Sequence, residues 1–378
     1  MIGSRRRLRW IAVLAAATLL LAGVWFYQAY FSSTNAAIRH AEALLFRRMS
    51  VSQLAEQGKY RFFFATNREQ EEAGEKTPLL KQFGATRREQ LTFGSFDATI
   101  QPSLGLGMLI NPTEWLQNEE IKLQQVRTLS RQELIEGLGS TVENSPHGAV
   151  LIVLHGFREA YESALRTSAF RGHVLDVDTP VLLFDCPGIQ GSSLRGYRRA
   201  RSVAKESGAE LAKTLELVIR DVQPRQVWVL ANSMGAQVVV DAFSQLYQSA
   251  DFADQDREIQ HVVLTAPDID HEQFNQQFKG ELKAIAKHLT VYVSSNDRAL
   301  LVSRLVNRGR RGGESTLSPD QLEEAVRLSA LTEPGSNLVN LVDVTPVNRT
   351  RNFHNFSLET PEFFDDLYLR LTNPELTR

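Results

Sequence analysis

The second half of the chain alternates between short apolar runs and longer stretches with helical periodicity. Continuous runs of Val, Leu, Ile and Phe of this length are typical of strands buried on both faces of a parallel sheet. The runs lie at residues 150–154, 181–184, 227–230, 262–264, 289–293 and 338–342. The helical stretches between them lie at residues 161–170, 200–219, 236–249, 274–287 and 319–331. This alternation predicts an α/β fold with a doubly wound, mostly parallel sheet.

Two further strand candidates precede this region. Residues 60–66 hold a run of mostly aromatic and small side chains, and residues 91–100 alternate apolar and polar positions as a half-buried strand does. Residues 33–58 show helical periodicity, whereas residues 102–146 are mixed and give no clear assignment. The sequence therefore divides into an N-terminal segment (1–32), a connector helix (33–59) and an α/β domain (60–378).

The N-terminal segment has the pattern of a membrane anchor. Arginines at positions 5, 6, 7 and 9 precede an uncharged run over residues 10–31, with aromatic side chains crowded at its far end. About 20 apolar residues suffice for a spanning helix, and the arginines predict a cytoplasmic N-terminus. We expect a single-pass anchor in the inner (cytoplasmic) membrane, with the domain on the periplasmic side. The alternative is secretion after cleavage of a signal peptide, whose apolar core is usually shorter.

Composition excludes some classes of function. The chain has 378 residues, is 23% charged and carries a formal net charge of −2, which gives no support for nucleic-acid binding. Its one cysteine, Cys186, excludes an intramolecular disulfide and a zinc-type cysteine cluster, and we interpret it as a structural thiol. Asp268, Asp270 and His271 lie close together in the sequence, but such a group is more typical of a turn and helix cap than of a metal site. We expect no metal and no cofactor.

The stretch Ala-Asn-Ser-Met-Gly at 231–235 joins the apolar run 227–230 to a predicted helix. Small residues two positions before and after Ser233 permit a sharp strand-to-helix turn that holds the serine in a strained, exposed pose. This is the nucleophile-elbow pattern of α/β hydrolases, usually Gly-x-Ser-x-Gly, with Ala231 here at the first position.

A nucleophilic serine needs a histidine base and an acid that orients it. In this fold they follow the serine in the order acid, then histidine, each past the carboxyl end of a strand. His354 follows the last predicted strand and is the predicted base, because the other histidines after Ser233 precede a strand or precede an acid candidate. Asp297, past the strand 289–293, is the predicted acid, and Asp268, one strand earlier, is the alternative.

Stabilising the oxyanion requires backbone N–H groups. The residue after the nucleophile, Met234, normally provides one, and the loop after an earlier strand provides the other. A His-Gly pair at 155–156 ends the run 150–154, so Phe157 is the predicted second donor.

Together these motifs resemble a bacterial family of α/β hydrolases of unknown function with esterase-like and lipase-like character. The shared motifs lie at residues 64–68, 154–157, 231–235, 266–270, 294–300 and 354. The family commonly has histidine where this chain has Asn232, and often has tryptophan near Cys186. The resemblance implies the α/β-hydrolase fold from about residue 60 to the C-terminus, and a hydrolytic activity.

We therefore expect a serine esterase that acts on a carboxylic ester or related acyl substrate, small molecule or lipid, through an acyl-enzyme. Two alternatives stay open. The chain can be a binding module that kept the fold without the chemistry, which Asn232 and the unusual anchor allow. It can also be an acyltransferase that uses the same triad but passes the acyl group to an acceptor other than water.

Overall fold

A computed structural model describes residues 58–71, 77–100, 121–191, 194–254, 258–269, 278–294, 339–348 and 356–373, with the single residues 18, 20, 21, 54 and 256. None of the helices in this part of the chain combines the length and apolar character needed to cross a bilayer. Nearly all of the predicted anchor and connector helix, and the whole predicted helix 319–331, lie outside the described residues. Those three elements stay predictions.

Within the described residues, nine strands form one sheet in the order β3-β2-β1-β5-β4-β6-β7-β8-β9. The strands are β1 (Lys59–Gln70), β2 (Phe83–Ile100), β3 (Ile121–Leu129), β4 (Ala149–Leu154), β5 (Val181–Asp185), β6 (Gln226–Asn232), β7 (Ile259–Thr265), β8 (Ala286–Val293) and β9 (Val339–Asp343). Strands β4 to β9 contain the six predicted apolar runs and pair in parallel, as does β1 with β5. Only β2 and β3 add antiparallel pairs, so the predicted mostly parallel sheet is confirmed.

The helices predicted over 161–170, 200–219 and 236–249, and the described part of the one over 274–287, correspond to helices between the parallel strands, with two corrections. They are α1 (Arg131–Glu143), α2 (Tyr161–Leu175), α3 (Leu194–Glu206), α4 (Gly208–Leu217), α5 (Gly235–Tyr247), α6 (Ala250–Ala253), α7 (Lys279–Ile285), α8 (Phe356–Glu359) and α9 (Pro361–Thr372). A 3-10 turn covers Leu79–Lys81, and a π-helical turn, Val218–Val222, extends α4.

Two helix predictions need correction. The single helix predicted over 200–219 is two helices that separate at Ser207, and Gly208 allows α4 to pack closely on α5, because a Cβ there would lie 2.7 Å from Asp241 Cβ. The helix predicted to reach residue 287 ends at Ile285, because Ala286 already pairs with Ile259 in the sheet.

The sheet is covered on both faces. Alternate residues of β4 enter different apolar cores: Val150 and Ile152 pack in one, and Leu151 and Val153 in the other. Helices α1, α3, α4, α5 and α7 contribute to the first core, and α2, α8 and α9 to the second. This double burial explains why the strands are continuous apolar runs rather than alternating ones.

Parallel pairing brings the carboxyl ends of β4, β6 and β7 to one edge of the sheet. Leu154 at the end of β4 pairs with Ala231, and Asn232 at the end of β6 pairs with Thr265. The loops that follow these strands therefore meet at this edge, where open α/β sheets place their ligand sites.

Candidate active site

The turn at Ser233 has the geometry of a nucleophile elbow, but Ser233 is buried, so the predicted exposed pose is wrong. Strand β6 ends at Asn232, helix α5 begins at Gly235, and Ser233 adopts a left-handed backbone conformation with φ of +52°. For a residue with a Cβ this conformation costs about 1–2 kcal/mol. The Ser233 N–H donates to the Thr265 carbonyl at 2.9 Å, and the Ser233 carbonyl accepts from the Asp268 N–H at 3.1 Å. Strand β7 and the loop after it thus hold the strained residue in place.

Two glycines allow the elbow to touch the loop after β4. A Cβ on Gly235 would lie 2.6 Å from the His155 carbonyl oxygen, and one on Gly156 would lie 3.1 Å from Ser233 Cβ. Neither glycine has a positive φ. Glycine is therefore needed at both positions because the two segments lie too close together for a Cβ, and not because the backbone conformation demands it. The predicted oxyanion donors, Phe157 and Met234, therefore follow segments that contact each other directly.

Asn232, which stands where the family commonly has histidine, ties three elements together. Its Oδ1 accepts from Thr265 Oγ1 at 2.8 Å, at the end of β7, and from Ser357 Oγ at 3.0 Å, in α8. These two hydrogen bonds give the Asn232 side chain a structural role beside the predicted nucleophile.

Neither the predicted base nor the predicted acid is among the described residues, whereas the alternative acid is. His354 and Asp297 lie outside the described residues, as do Asp270 and His271. The alternative acid, Asp268, is buried, and its Oδ2 accepts from Tyr197 Oη at 2.5 Å. Tyr197 belongs to α3, and its ring meets the Phe157 ring edge-on, with centroids 5.5 Å apart. Asp268 thus belongs to a bridge between the elbow and the loop after β4.

His261, set aside in the sequence analysis because it precedes its apolar run, lies within β7 and is buried. Its Nε2 lies 2.9 Å from Thr290 Oγ1, and burial lowers the pKa of His261 to about 3. This ring is neutral at physiological pH and packs in the sheet.

A buried ionic network that sequence reasoning missed lies directly behind the loop after β4. Arg68 in β1 forms a fork with Asp185 at the end of β5: Nε donates to Oδ2 at 2.8 Å and Nη2 to Oδ1 at 2.9 Å. Thr66 Oγ1 also donates to Asp185 Oδ2, at 2.6 Å. Burial alone would raise the pKa of the Asp185 carboxyl, but the charge of Arg68 and the hydrogen bond from His155 lower it well below its ordinary value.

The network reaches the predicted oxyanion donor through His155. His155 Nε2 lies 3.0 Å from Asp185 Oδ1, and Nδ1 lies 2.9 Å from the Gly156 carbonyl oxygen. That oxygen and the Phe157 N–H belong to one trans peptide unit, in which they point in opposite directions. With Nδ1 as the donor to that oxygen, the contact from His155 fixes the direction in which the Phe157 N–H points.

Cys186 comes directly after Asp185 in the sequence. It is buried, and burial raises the pKa of its thiol to about 12, which leaves it protonated and a poor nucleophile at neutral pH. Over the described part of the chain, no group of three or more His, Cys, Asp or Glu side chains is placed to hold a metal ion.

Residues 130–367 match the family described as alpha/beta hydrolase of unknown function (DUF900). The chain belongs to this family. The α/β-hydrolase fold expected from the elbow and the parallel sheet is therefore the fold of this DUF900 protein, and its resemblance to hydrolases of unknown function is confirmed. No curated protein matches the sequence.

Solved structures with a similar chain trace include several esterases. The carboxylesterase CesB from Bacillus subtilis is 11% identical, with 90% of this chain and 99% of that chain covered and a TM-score of 0.37. Est1E from Butyrivibrio proteoclasticus is 10% identical, with 59% and 88% covered and a TM-score of 0.33. An arylesterase is 9% identical, with 91% and 95% covered and a TM-score of 0.34. At these TM-scores the likenesses do not bear on what the DUF900 protein acts on.

Proposed function

We propose that this chain is a serine hydrolase that cleaves a carboxylic ester or a related acyl substrate, with Ser233 as the nucleophile. The observation that carries the proposal is the left-handed φ of +52° at Ser233, in a strand-turn-helix that touches the loop after β4. Strain of this kind persists only where the surrounding structure enforces it, and it clusters at active sites. Membership of an α/β-hydrolase family supports hydrolysis as the reaction class.

In the proposed reaction, Ser233 Oγ attacks the acyl carbonyl while His354 takes its proton, and Asp297 orients and stabilises the imidazolium. The backbone N–H groups of Phe157 and Met234 stabilise the oxyanion. His354 then returns the proton to the leaving alkoxide, which leaves an acyl-enzyme. Water, deprotonated by His354, hydrolyses that ester and releases the acid and the free serine.

Contacts of neighbouring described residues support His354 as the base. Ser357, three residues after His354, donates a hydrogen bond to Asn232, the residue before the nucleophile. Three residues of extended chain span at most about 11 Å, which limits how far His354 can lie from this contact.

Asp297 is supported in the same way. Ser294, three residues before it, accepts a hydrogen bond from Asn348 Nδ2 at 2.9 Å, and both side chains are buried. Asn348 precedes the segment that carries His354, so the chain enters both segments from one buried contact. Asp268 remains the alternative acid, although its Oδ2 already accepts from Tyr197.

The test is fluorophosphonate labelling and p-nitrophenyl ester hydrolysis with the full chain. We expect Ser233→Ala to lose labelling and turnover, while Ser202→Ala, an exposed serine on α3, retains both. We expect Asp297→Asn to lower kcat by about 10⁴-fold and Asp268→Asn to have a much smaller effect.

Other outcomes separate the alternatives. If the parent chain reacts with no acyl or phosphonyl probe, the chain is a binding module and the proposal is wrong. If added alcohols or amines are acylated in preference to water, the chain is an acyltransferase with the same triad. Equal labelling of the parent and Ser233→Ala would refute the assignment of the nucleophile.

We also propose that residues 10–31 anchor the chain in the inner membrane with the hydrolase domain on the periplasmic side. The four arginines before the run and the aromatic residues at its end support this orientation. A C-terminal alkaline phosphatase fusion should be active and remain with the membrane fraction. An inactive fusion, or release of the mature chain, would contradict the anchored topology.

A further inference from the structure

Helix α3 carries a concentrated positive charge on its exposed side. In a helix of 3.6 residues per turn, Arg195, Arg198, Arg199 and Arg201 fall on one half of the circumference, and we call them the α3 basic face. Arg195, Arg198 and Arg199 are exposed and Arg201 is half-buried, while the opposite side packs on the core through Ala200 and Ala204.

The charge of the α3 basic face is not neutralised locally. Within the described part of the chain, none of its four arginines forms an ion pair or a side-chain hydrogen bond. The acidic residue on the same side of the helix, Glu206, accepts from Ser202 Oγ and lies 3.5 Å from Arg87 Nη1. Exposed Lys205 adds a further positive charge. Because the chain as a whole has a net charge of −2, this is a local concentration of charge.

The α3 basic face lies next to the candidate active site but points away from it. Tyr197 turns inward from the same helix, where its hydroxyl donates to Asp268 and its ring meets Phe157. The arginines occupy the outer side of the helix. A small substrate bound beside Ser233 therefore does not contact several of them together, whereas a broad surface lying against the outer side of α3 does.

We propose that the α3 basic face docks on an anionic lipid surface, which holds the domain at the bilayer with the candidate site on the inner side of α3. Guanidinium groups bind phosphate oxygens in a bidentate way, and a helix with one basic and one buried side is the form expected of an electrostatic membrane contact. The proposal goes beyond the hydrolase function, because docking does not require Ser233 to be reactive.

The experiment places a reporter on this face. Ser202→Cys introduces an exposed thiol among the arginines, and the native cysteine is buried with a pKa of about 12, so a thiol dye labels position 202 selectively. The labelled full chain is added to two kinds of vesicle. One kind contains phosphatidylcholine alone, and the other contains about one part phosphatidylglycerol to two parts phosphatidylcholine. Both kinds of vesicle contain a headgroup-level nitroxide lipid that quenches the dye on contact. An N-terminal anchor holds the chain on both kinds alike, so quenching reports contact by α3.

We expect quenching with the anionic vesicles and little with phosphatidylcholine alone. Each arginine near an anionic bilayer strengthens association about fivefold, so glutamine at all four positions should weaken α3 contact by about 600-fold, nearly three orders of magnitude. High salt should have a similar effect. The matched control replaces four cationic residues on other elements with glutamine and should retain quenching: Arg88, Lys122, Lys213 and Lys287. Far-UV circular dichroism checks that each variant is folded.

Two results would overturn the proposal. One is equal quenching in both lipid mixtures, or quenching that the four glutamines leave unchanged. The other is a dye response to a DNA oligonucleotide or polyglutamate without quenching by anionic vesicles, which would assign the face to a different polyanion. Repeating the assay with an added Ser233→Ala substitution separates docking from catalysis, because docking should be unaffected.

Discussion

Replacing Arg68 with methionine tests the buried network behind the candidate site. The substitution keeps much of the side-chain volume but removes the guanidinium, and Asp185, which is fully buried, keeps only Thr66 and His155 as side-chain partners. Removing one partner of a buried ion pair costs about 3–5 kcal/mol, because the other charge is left in a medium that cannot solvate it. Arg68 also donates to the backbone carbonyls of Gly84, Glu159 and Cys186, at 2.8–3.2 Å. We therefore expect a loss near the upper end, about 4–5 kcal/mol.

Urea unfolding followed by tryptophan fluorescence measures this loss. Lys81→Met is the matched control, because Lys81 pairs with Glu162 at the surface with 66% of its side chain exposed, and such pairs contribute about 1 kcal/mol or less. In the double variant Arg68→Met/Asp185→Asn the unpaired charge is gone, so we expect at least about 2 kcal/mol of the loss to be recovered. A cost for Arg68→Met no larger than that of Lys81→Met would refute the reasoning.

The same network predicts a dependence on pH. The pKa of Asp185 is lower in the folded chain than in the unfolded chain, where a carboxyl titrates near about 3.9. Its contribution to the free energy of unfolding is therefore complete above that unfolded value and is lost as the pH falls below it towards the folded pKa. The stability difference between the parent and the double variant should be constant near neutral pH and shrink below about pH 4. A difference that stays constant down to pH 2 would contradict the lowered pKa.

Three further predictions concern strain, close approach and an unpaired charge. Ser233→Gly should be about 1 kcal/mol more stable than Ser233→Ala in urea unfolding, because glycine accepts the φ of +52° without strain; equal stability would contradict the strained elbow. Gly235→Ala should slow fluorophosphonate labelling at least about tenfold, because its Cβ would displace the loop that carries Phe157. Gly280→Ala, whose Cβ would meet no atom within 4 Å, should label at the parent rate, and equal slowing of both would refute the steric argument. Arg171→Met should leave the urea midpoint unchanged or raise it, because Arg171 is buried with Nε and Nη1 unpartnered and its pKa lowered by burial to about 10; a loss above about 1 kcal/mol would contradict this.

The parallel part of the fold could be predicted from the sequence because its strands are buried on both faces. Residues 150–154 and 227–230, for example, are apolar throughout. This pattern predicts a buried strand even when the strands that pair with it are not known. Strand β3 could not be found in this way, because most of its residues are exposed or half-buried and it is mostly polar. The start of helix α1 could have been predicted from Ser130 and Glu133, because these two residues form a capping box there.

The parts of the candidate site that could be predicted are those formed by residues close together in the sequence. The elbow at 231–235 and the His-Gly pair at 155–156 are each contained in a few consecutive residues, so their spacing is visible in the sequence. The fork between Arg68 and Asp185 joins residues 117 positions apart, and nothing in the sequence around Arg68 indicates its partner. Only the parallel pairing of β1 with β5 brings the two together. Asp297 and His354 stay predictions from chain order.

The contact of His155 with the Gly156 carbonyl has a consequence for how the protein fails on heating. Arg68 and Asp185 lie on strands inside the sheet, and the Phe157 N–H is oriented through them. Loosening the predicted oxyanion donor through this network therefore requires disturbing residues inside the sheet. Loss of activity and global unfolding should then share one transition temperature, with no interval in which the domain is folded and inactive.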